Sequence, residues 1–354
     1  MTKISQINYD IQFEPIFTNF TFNGIEIISL TTTPTNTFTL NSAELEILNC
    51  HIIHKGKTIK VKTVLDSKKE TLIIKTPKKI SGKIKICLEF IGELNDRLLG
   101  FYRSKYKETS GKTKYLATTQ FEAADARRAF PCWDEPAVKA TFDISLLVEK
   151  HMTAISNMPE KLKRSVNSKV LVEFERTPIM STYLLYLGVG EFEFLQDSLR
   201  NIKIRIVTTK GNKKKAKLSL DLTKKFLSEY EKYFGIKYPL PKLDMLAIPD
   251  FAAGAMENWG AITFRETILL YDPKTSSTRT KQYIAEVISH EIAHQWFGNL
   301  VTMKWWNDLW LNESFATFMA TKIVDRFYPE WDYWDQFLDD AMNTAMSLDS
   351  LKTS

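Results

Sequence analysis

Between Tyr9 and about Phe90, apolar and polar residues alternate in short runs: Tyr9, Ile11 and Phe13; Phe20 and Phe22; Leu45 and Ile47; Ile84, Ile86 and Leu88. A period of two in β-branched and aromatic residues, interrupted by Asn, Gly, Pro and Lys, marks strands with one buried face. It predicts an antiparallel sandwich or barrel for the first half of the chain. Further strands are expected at 142–149 and 171–174, with 183–190 as the last. Lysines alternating with Ile and Val between Lys55 and Lys85 read as the solvated face of such strands. After the loop at 210–215 the period changes: Leu218, Leu222, Phe226, Tyr230 and Phe234 recur every four residues, the stripe of an amphipathic helix. Helical patterns return at 281–297 and 308–327, the second closed by Pro329. The change of period places a domain boundary near residue 195, dividing the chain into residues 1–195 and 196–354.

Composition narrows the possibilities. In 354 residues, 44% apolar and 25% charged content is enough to bury two cores and excludes intrinsic disorder. A net charge of +6, from 48 basic and 42 acidic residues, is too diffuse to indicate nucleic-acid binding. The most apolar stretch, around 183–189, is far shorter than the roughly 20 residues that span a bilayer. The opening residues lack the basic stub and apolar run of a secretory signal. Cys50, Cys87 and Cys132 are odd in number and without metal-like spacing, which speaks against a disulfide framework. These features predict a cytoplasmic protein without a membrane or nucleic-acid partner.

The chemistry sits in the second half. His290 and His294, two of only five histidines, are four residues apart in a helical pattern, so both imidazoles project from one face. Neutral imidazoles suit Zn²⁺, which also accepts carboxylate oxygen and keeps one position open in catalytic sites. Glu291, beside the first histidine, is placed to act on water rather than to bind the ion. A third ligand is expected from the next helix, where Glu313 follows His294 by nineteen positions. Trp296, Trp305, Trp306 and Trp310 read as core packing around this site, and Asp125, Arg127 and Arg128 as ion pairs at the domain junction.

With Gly254-Ala-Met-Glu-Asn258 upstream, residues 119–136 (TQFEAADARRAFPCWDEP) and Gly298-Asn-Leu-Val-Thr302, the chain resembles the M1 family of zinc aminopeptidases, within the gluzincin group. The resemblance implies an α+β multidomain fold: an antiparallel β-sandwich-like cap over 1–195, followed by a partial thermolysin-like catalytic domain over 196–354. It implies one zinc ion on His290, His294 and Glu313, with Glu291 as general base. It assigns Glu257 and Glu122 to the free α-amine of a peptide substrate, with Gln120 beside the same pocket. Gly254 and Ala255, continuing into Met256 and Asn258, become a backbone edge along which the substrate lies.

An exopeptidase must tell a chain end from a chain middle, and the ammonium is the charge that marks an N-terminus, so carboxylates are its natural anchor. The family places a catalytic tyrosine well downstream of the third ligand, beyond Ser354. The chain is therefore expected to be truncated at its C-terminus, with the stretch 348–354 resembling a segment that continues into further helices. The rival expectation is a non-catalytic or partner-dependent zinc-binding fragment, completed by a separately encoded C-terminal fragment. Tyr333, Trp334, Phe337, Leu338 and Met342 form an apolar stripe expected to be under-covered. A thermolysin-type endopeptidase would share the histidine motif but has no need of residues 254–258.

Overall fold

The computed structural model describes residues 3–108 and 110–349. Residues 350–354 of the closing stretch, like residues 1, 2 and 109, lie outside the described residues. The first half folds as β-structure on two sheets. The strands Thr21–Asn41 and Thr71–Glu93 form the spine of a nine-stranded sheet. Ile4–Ile16 pairs antiparallel with the first of these and parallel with Thr141–Glu149, and every other pairing described in this sheet is antiparallel. A four-stranded sheet runs in the order Thr153–Ser156, Leu187–Gly190, Thr113–Gln120, Gly100–Lys107. Aromatic rings fill the space between: Phe13 of the large sheet meets Phe101 of the small one at 5.9 Å, and Tyr9 stacks on Phe142 at 5.2 Å. The alternation in the sequence is the record of this packing, since each strand turns every second side chain into the gap.

One buried residue breaks the apolar pattern. Glu26 lies opposite Ile11 and Leu88 on neighbouring strands, is 0% exposed, and neither carboxyl oxygen has a hydrogen-bond partner. Burial pushes its pKa well above the usual carboxylate range. Above the unfolded value the folded chain therefore holds a proton that the unfolded chain has lost, so stability is greatest at acidic pH and falls as pH rises. Each pH unit in that window removes about 1.4 kcal/mol. Urea unfolding at pH 5 and pH 7 should show a steeper loss in the wild type than in Glu26→Leu. Equal slopes in the two proteins would mean that Glu26 is ionised or solvated in the fold.

The second half begins a third sheet, of five strands in the order Phe192–Leu199, Ile202–Thr209, Lys242–Ile248, Ala261–Arg265, Ala255–Met256. Helices α1 (Lys217–Phe234), α2 (Glu266–Leu269), α3 (Thr278–Ala293) and α4 (Trp310–Phe327) accompany it, and the short helices Tyr333–Phe337 and Asn343–Leu348 follow. Helix α1 is the crossover between the parallel strands Ile202–Thr209 and Lys242–Ile248. The latter is buried at every position, as a central strand covered on both faces must be. At its start Asp244 is held by Arg205 and Lys242, and Lys242 also donates to the Gly260 carbonyl at 2.7 Å.

Several sequence expectations are corrected. Residues 183–190 are not one strand. Thr182–Leu184 forms a single 3₁₀ turn and only Leu187–Gly190 pairs; the Leu185 amide closes the turn on the Thr182 carbonyl at 3.1 Å, and the Leu184 carbonyl accepts from the Asn157 side chain at 2.7 Å and the Trp259 amide at 3.3 Å. Nor is it the last strand, since Phe192–Leu199 and Ile202–Thr209 follow. Helix α3 ends at Ala293, not 297, for a reason given below. Trp305 and Trp310 are exposed, whereas Trp259 and Trp296 are buried. Arg127 and Arg128 do form ion pairs, but with Glu44, Glu70, Asp125 and Asp134, all within the first half and not at a junction. The stripe at 333–342 is half covered: Tyr333 is buried and donates to the Gln282 carbonyl at 3.1 Å, while Leu338 and Met342 are exposed.

Candidate metal centre

Ser277 caps α3, its hydroxyl oxygen accepting from the Thr280 amide at 3.1 Å. Sixteen residues on, the helix is cut off by the loop that follows. There Gly298 takes φ +130°, its amide donates to the Val301 carbonyl at 2.8 Å, and the Asn299 amide donates back to the His294 carbonyl at 3.1 Å. A Cβ at Gly298 would stand 3.3 Å from Nδ1 of His294, so the backbone angle favours glycine and the space beside the ring is tight for any other residue. His294 thus occupies the C-cap position just past the helix, with its ring held by the loop. Helix α4 then returns antiparallel in sequence order and brings Glu313, in its first turn, against α3.

Three donor atoms converge. Nε2 of His290 and Nε2 of His294 are 2.9 Å apart, and Oε2 of Glu313 lies 3.2 Å from the first and 3.7 Å from the second. Donors bound tetrahedrally at about 2.0–2.1 Å stand about 3.3–3.4 Å apart, so this triangle matches the base of a zinc-sized coordination sphere. The other ring nitrogens are spoken for. Nδ1 of His294 is 3.0 Å from the Phe297 carbonyl, to which it can only donate, leaving Nε2 with the free lone pair. Nδ1 of His290 is 3.4 Å from the Thr317 hydroxyl.

The electrostatics also call for a cation. Burial pulls His294 down, but Glu257, the hydrogen bond it donates to the Glu313 carboxylate, and Glu291 outweigh it and push the imidazole up to about 10. Burial lowers His290. Glu313 is held well below the carboxylate range by the two histidines despite its own desolvation. Burial first, then Glu257 and Glu313, push Glu122 up to about 9. Burial likewise raises Glu257, and raises Glu291 well above the usual range with Glu257, Glu313 and Glu122 adding to it. Four carboxyls around two imidazoles leave a deficit of positive charge that a bound divalent ion removes.

The structure gathers most of the expected site residues. Glu122, just past the strand Thr113–Gln120, reaches from the first half to within 4.8 Å of the Glu257 and Glu313 carboxylate oxygens. Oε1 of Glu122, Oε1 of Glu257, Oε2 of Glu291 and Oε1 of Gln120 are all buried without a hydrogen-bond partner. Ala255 and Met256 form the edge strand of the third sheet, with one side of its backbone unpaired within that sheet, and Gly254 precedes them, its carbonyl accepting from the Arg265 amide at 2.9 Å. The side chain of Met256 is in the core, and Asn258 donates its amide to Thr263 at 3.1 Å, so these two support the strand from behind.

Residues that sequence reasoning passed over hold this arrangement. Asn299 donates to the Glu257 carbonyl at 2.9 Å and Gln295 to the same carbonyl at 3.5 Å, tying the edge strand to the end of α3. Tyr183 donates to the Gly298 carbonyl at 3.1 Å and Tyr102 to the Asp250 carbonyl at 3.0 Å, tying the first half to the second. Each targets a backbone carbonyl, which has no signature in sequence. Asn299, Tyr183 and Gln295 fell within stretches singled out beforehand, at 298–302, 183–190 and 281–297, but none was given a role.

Comparison with known proteins agrees with both halves of this picture. The peptidase M1 N-terminal domain model matches residues 5–184, and the peptidase family M1 domain model matches residues 218–354. The chain is 44% identical to aminopeptidase 2 of Candida albicans over 357 residues, covering 100% of the chain and 38% of that protein. It is 44% identical to the puromycin-sensitive aminopeptidase of Caenorhabditis elegans, covering 98% of the chain and 37% of the relative. It is 46% identical to a probable aminopeptidase 2 of Sulfurisphaera tokodaii, covering 99% and 43% respectively. The chain therefore spans well under half the length of the curated relatives it matches. Among the described residues no helix is long and apolar enough to cross a membrane. The two models match successive parts of one chain, in the order in which the β-structured half and the helix-bearing half occur, and on that ground the chain is a member of peptidase family M1.

Proposed function

We propose that this chain carries the metal-binding part of a zinc-dependent aminopeptidase that removes N-terminal residues from peptides. In this reading residues 1–195 are the β domain and residues 196–354 a thermolysin-like zinc metallopeptidase domain. The observation that carries the proposal is the triangle of His290, His294 and Glu313 donors at 2.9, 3.2 and 3.7 Å, with the buried Glu257 and the partly buried Glu122 carboxylates beside it. His290, His294 and Glu313 would hold one Zn²⁺, which would supply Lewis acidity for peptide hydrolysis. Glu291 accepts the proton from the attacking water and returns it to the leaving amine. Glu257 and Glu122 hold the substrate ammonium, and their buried, unpartnered oxygens favour a positively charged group over any neutral one. The edge strand Ala255–Met256 offers backbone groups to a peptide lying alongside.

A separately encoded C-terminal fragment is the partner this proposal allows for. Helix α4 and the loop before it expose Val301, Trp310, Leu311 and Phe318 around an open cavity of about 430 Å³. Free Cys50, Cys87 and Cys132 support a reducing, cytoplasmic setting.

Purifying the 354-residue chain and measuring zinc per chain, alongside hydrolysis of an aminoacyl arylamide with and without chelator, tests the reading. One zinc per chain, activity abolished by chelator and restored by zinc, and no cleavage of the N-acetylated substrate are expected. Zinc retained without turnover favours the non-catalytic or partner-dependent alternative. Equal cleavage of acetylated and free substrates would contradict the roles of Glu257 and Glu122.

A further inference from the structure

The net charge of +6 is not spread evenly along the chain. Residues 55–85 carry eleven lysines against Asp66 and Glu70, a local +9, so the remaining residues, 37 basic and 40 acidic, carry −3. All eleven lysines are exposed, and among the described residues Lys69 is the only one of them with an ion-pair partner, Asp66 at 4.0 Å.

Lysines often guard the edge of a sheet, but these are not confined to an edge. Lys75 lies between Thr37 and Lys62 on its two neighbouring strands, and Lys85 between Ser29 and Ile53. Lys75 follows the buried Ile74, and Lys83 and Lys85 flank the buried Ile84, so all three stand on the solvent face of the central strand Thr71–Glu93. At the other end of the same sheet the solvent face is neutralised within itself. There Lys169 bridges Glu14 and Glu149 at 2.9 and 3.3 Å, Arg164 meets Glu173 at 3.5 Å and Arg176 meets Asp143 at 2.7 Å. The lysine end shows the reverse: Lys62 and Lys75 are direct cross-strand partners, and like charges placed opposite one another destabilise a sheet. Lys55, Lys83 and Lys85 also surround an open cavity of about 370 Å³, together with Ser29 and Thr31. Ammonium and hydroxyl groups around one cavity suit the oxygens of a phosphate or carboxylate head group.

The residue types decide which polyanion fits. Residues 55–85 contain no Arg, Asn or Gln to read base edges and no aromatic side chain on which a base could stack, so a nucleic acid would be held by its phosphates alone. Apolar surface stands beside the lysines instead. Val64 shares a face with Lys62, pairs with Ile73 and is 53% exposed. Ammonium groups around exposed aliphatic side chains match a bilayer interface, with anionic head groups outside and apolar chains beneath.

We propose that the solvent face carrying Lys55, Lys62, Lys75, Lys83 and Lys85 is a docking surface for an anionic lipid bilayer, which holds the protein at the membrane without spanning it. The expectation of a chain without a membrane partner averaged the charge over the whole sequence, and this face replaces it. Docking here is independent of the histidine centre and of its metal.

Co-sedimentation with vesicles of phosphatidylcholine, alone or with about one-third phosphatidylserine, tests the surface. Binding to the phosphatidylserine vesicles is expected at low salt. It should be absent with phosphatidylcholine alone and lost at about 1 M salt, where charges are screened within about 3 Å. A lysine near such a surface contributes about fivefold. Lys62→Gln with Lys75→Gln should therefore weaken binding roughly 25-fold, and Lys55→Gln, Lys83→Gln and Lys85→Gln together roughly 100-fold. The triple variant Lys213→Gln, Lys214→Gln and Lys217→Gln removes the same charge from the second half and should change binding little. Circular dichroism checks that every variant keeps the fold. Failure to bind the phosphatidylserine vesicles, unchanged binding in the first two variants, or an equal loss in the third would overturn the proposal. Tighter binding to single-stranded RNA than to these vesicles at matched phosphate and salt would overturn it in favour of a nucleic acid.

Discussion

Glu291→Gln is expected to keep zinc on the protein while lowering kcat by roughly 100- to 10,000-fold, the usual contribution of a positioned general base. The reasoning is geometric before it is chemical. Glu291 sits between the two histidines in sequence, so a helical turn of 3.6 residues points it about 100° away from His290. Its Oε2 is buried and unpartnered, close enough to His294, Glu257, Glu313 and Glu122 for each to act on its charge, yet it belongs to neither group of convergent donors. A carboxyl near a metal position but outside the ligand set is free to take and return protons. Glutamine preserves the shape and removes that capacity. Zinc content should therefore be unchanged while hydrolysis of an aminoacyl arylamide collapses. Retained hydrolysis would take Glu291 out of the proton-transfer role, and loss of zinc would make it a ligand.

How far the sequence could lead depended on whether a function had a period or a charge. His290 and His294 were legible because four residues nearly complete a helical turn, and Glu313 because a second helical pattern had to begin shortly after the first ended. The β-structured half was legible in its alternation, as at Phe142, Ile144, Leu146 and Val148, all buried in the strand Thr141–Glu149. What remained hidden depends on contacts made across the chain. Nothing in the sequence tells that the Leu184 carbonyl is taken by Asn157, and the stretch 183–190, of strand composition, begins in a turn. Helix α3 looks four residues longer than it is, because the apolar pattern continues through Trp296 and Phe297 while Gly298 turns the backbone back. Exposed Trp310 and buried Trp296 carry the same side chain, and only the packing of α4 separates them. Thr317, Asn299 and Tyr183 act on a ring nitrogen or on backbone carbonyls, and no residue spacing announces such bonds.

Glu313→Gln should behave in the opposite way to Glu291→Gln, losing the metal first and activity as a consequence. Glu313 supplies the one anionic donor of the triangle, its Oε2 being 3.2 and 3.7 Å from the two imidazole nitrogens. The neutral amide keeps the volume but presents a weaker oxygen donor, and its NH₂ group would face Nε2 of one histidine if turned. Removing a support of a metal ligand commonly costs 10- to 100-fold in affinity, so loss of an anionic ligand itself should exceed about 100-fold. Competition for zinc against a chromophoric chelator measures this directly and needs no turnover, which keeps the test valid if the chain is inactive without a partner. Adding excess zinc should then recover part of any activity in Glu313→Gln and none in Glu291→Gln. Such a split would assign the two glutamates to different tasks, the one holding charge in place and the other moving protons. Equal zinc affinity in Glu313→Gln and wild type would leave the histidines without a third donor among the described residues within reach of both, since the other group of convergent donors contains no histidine.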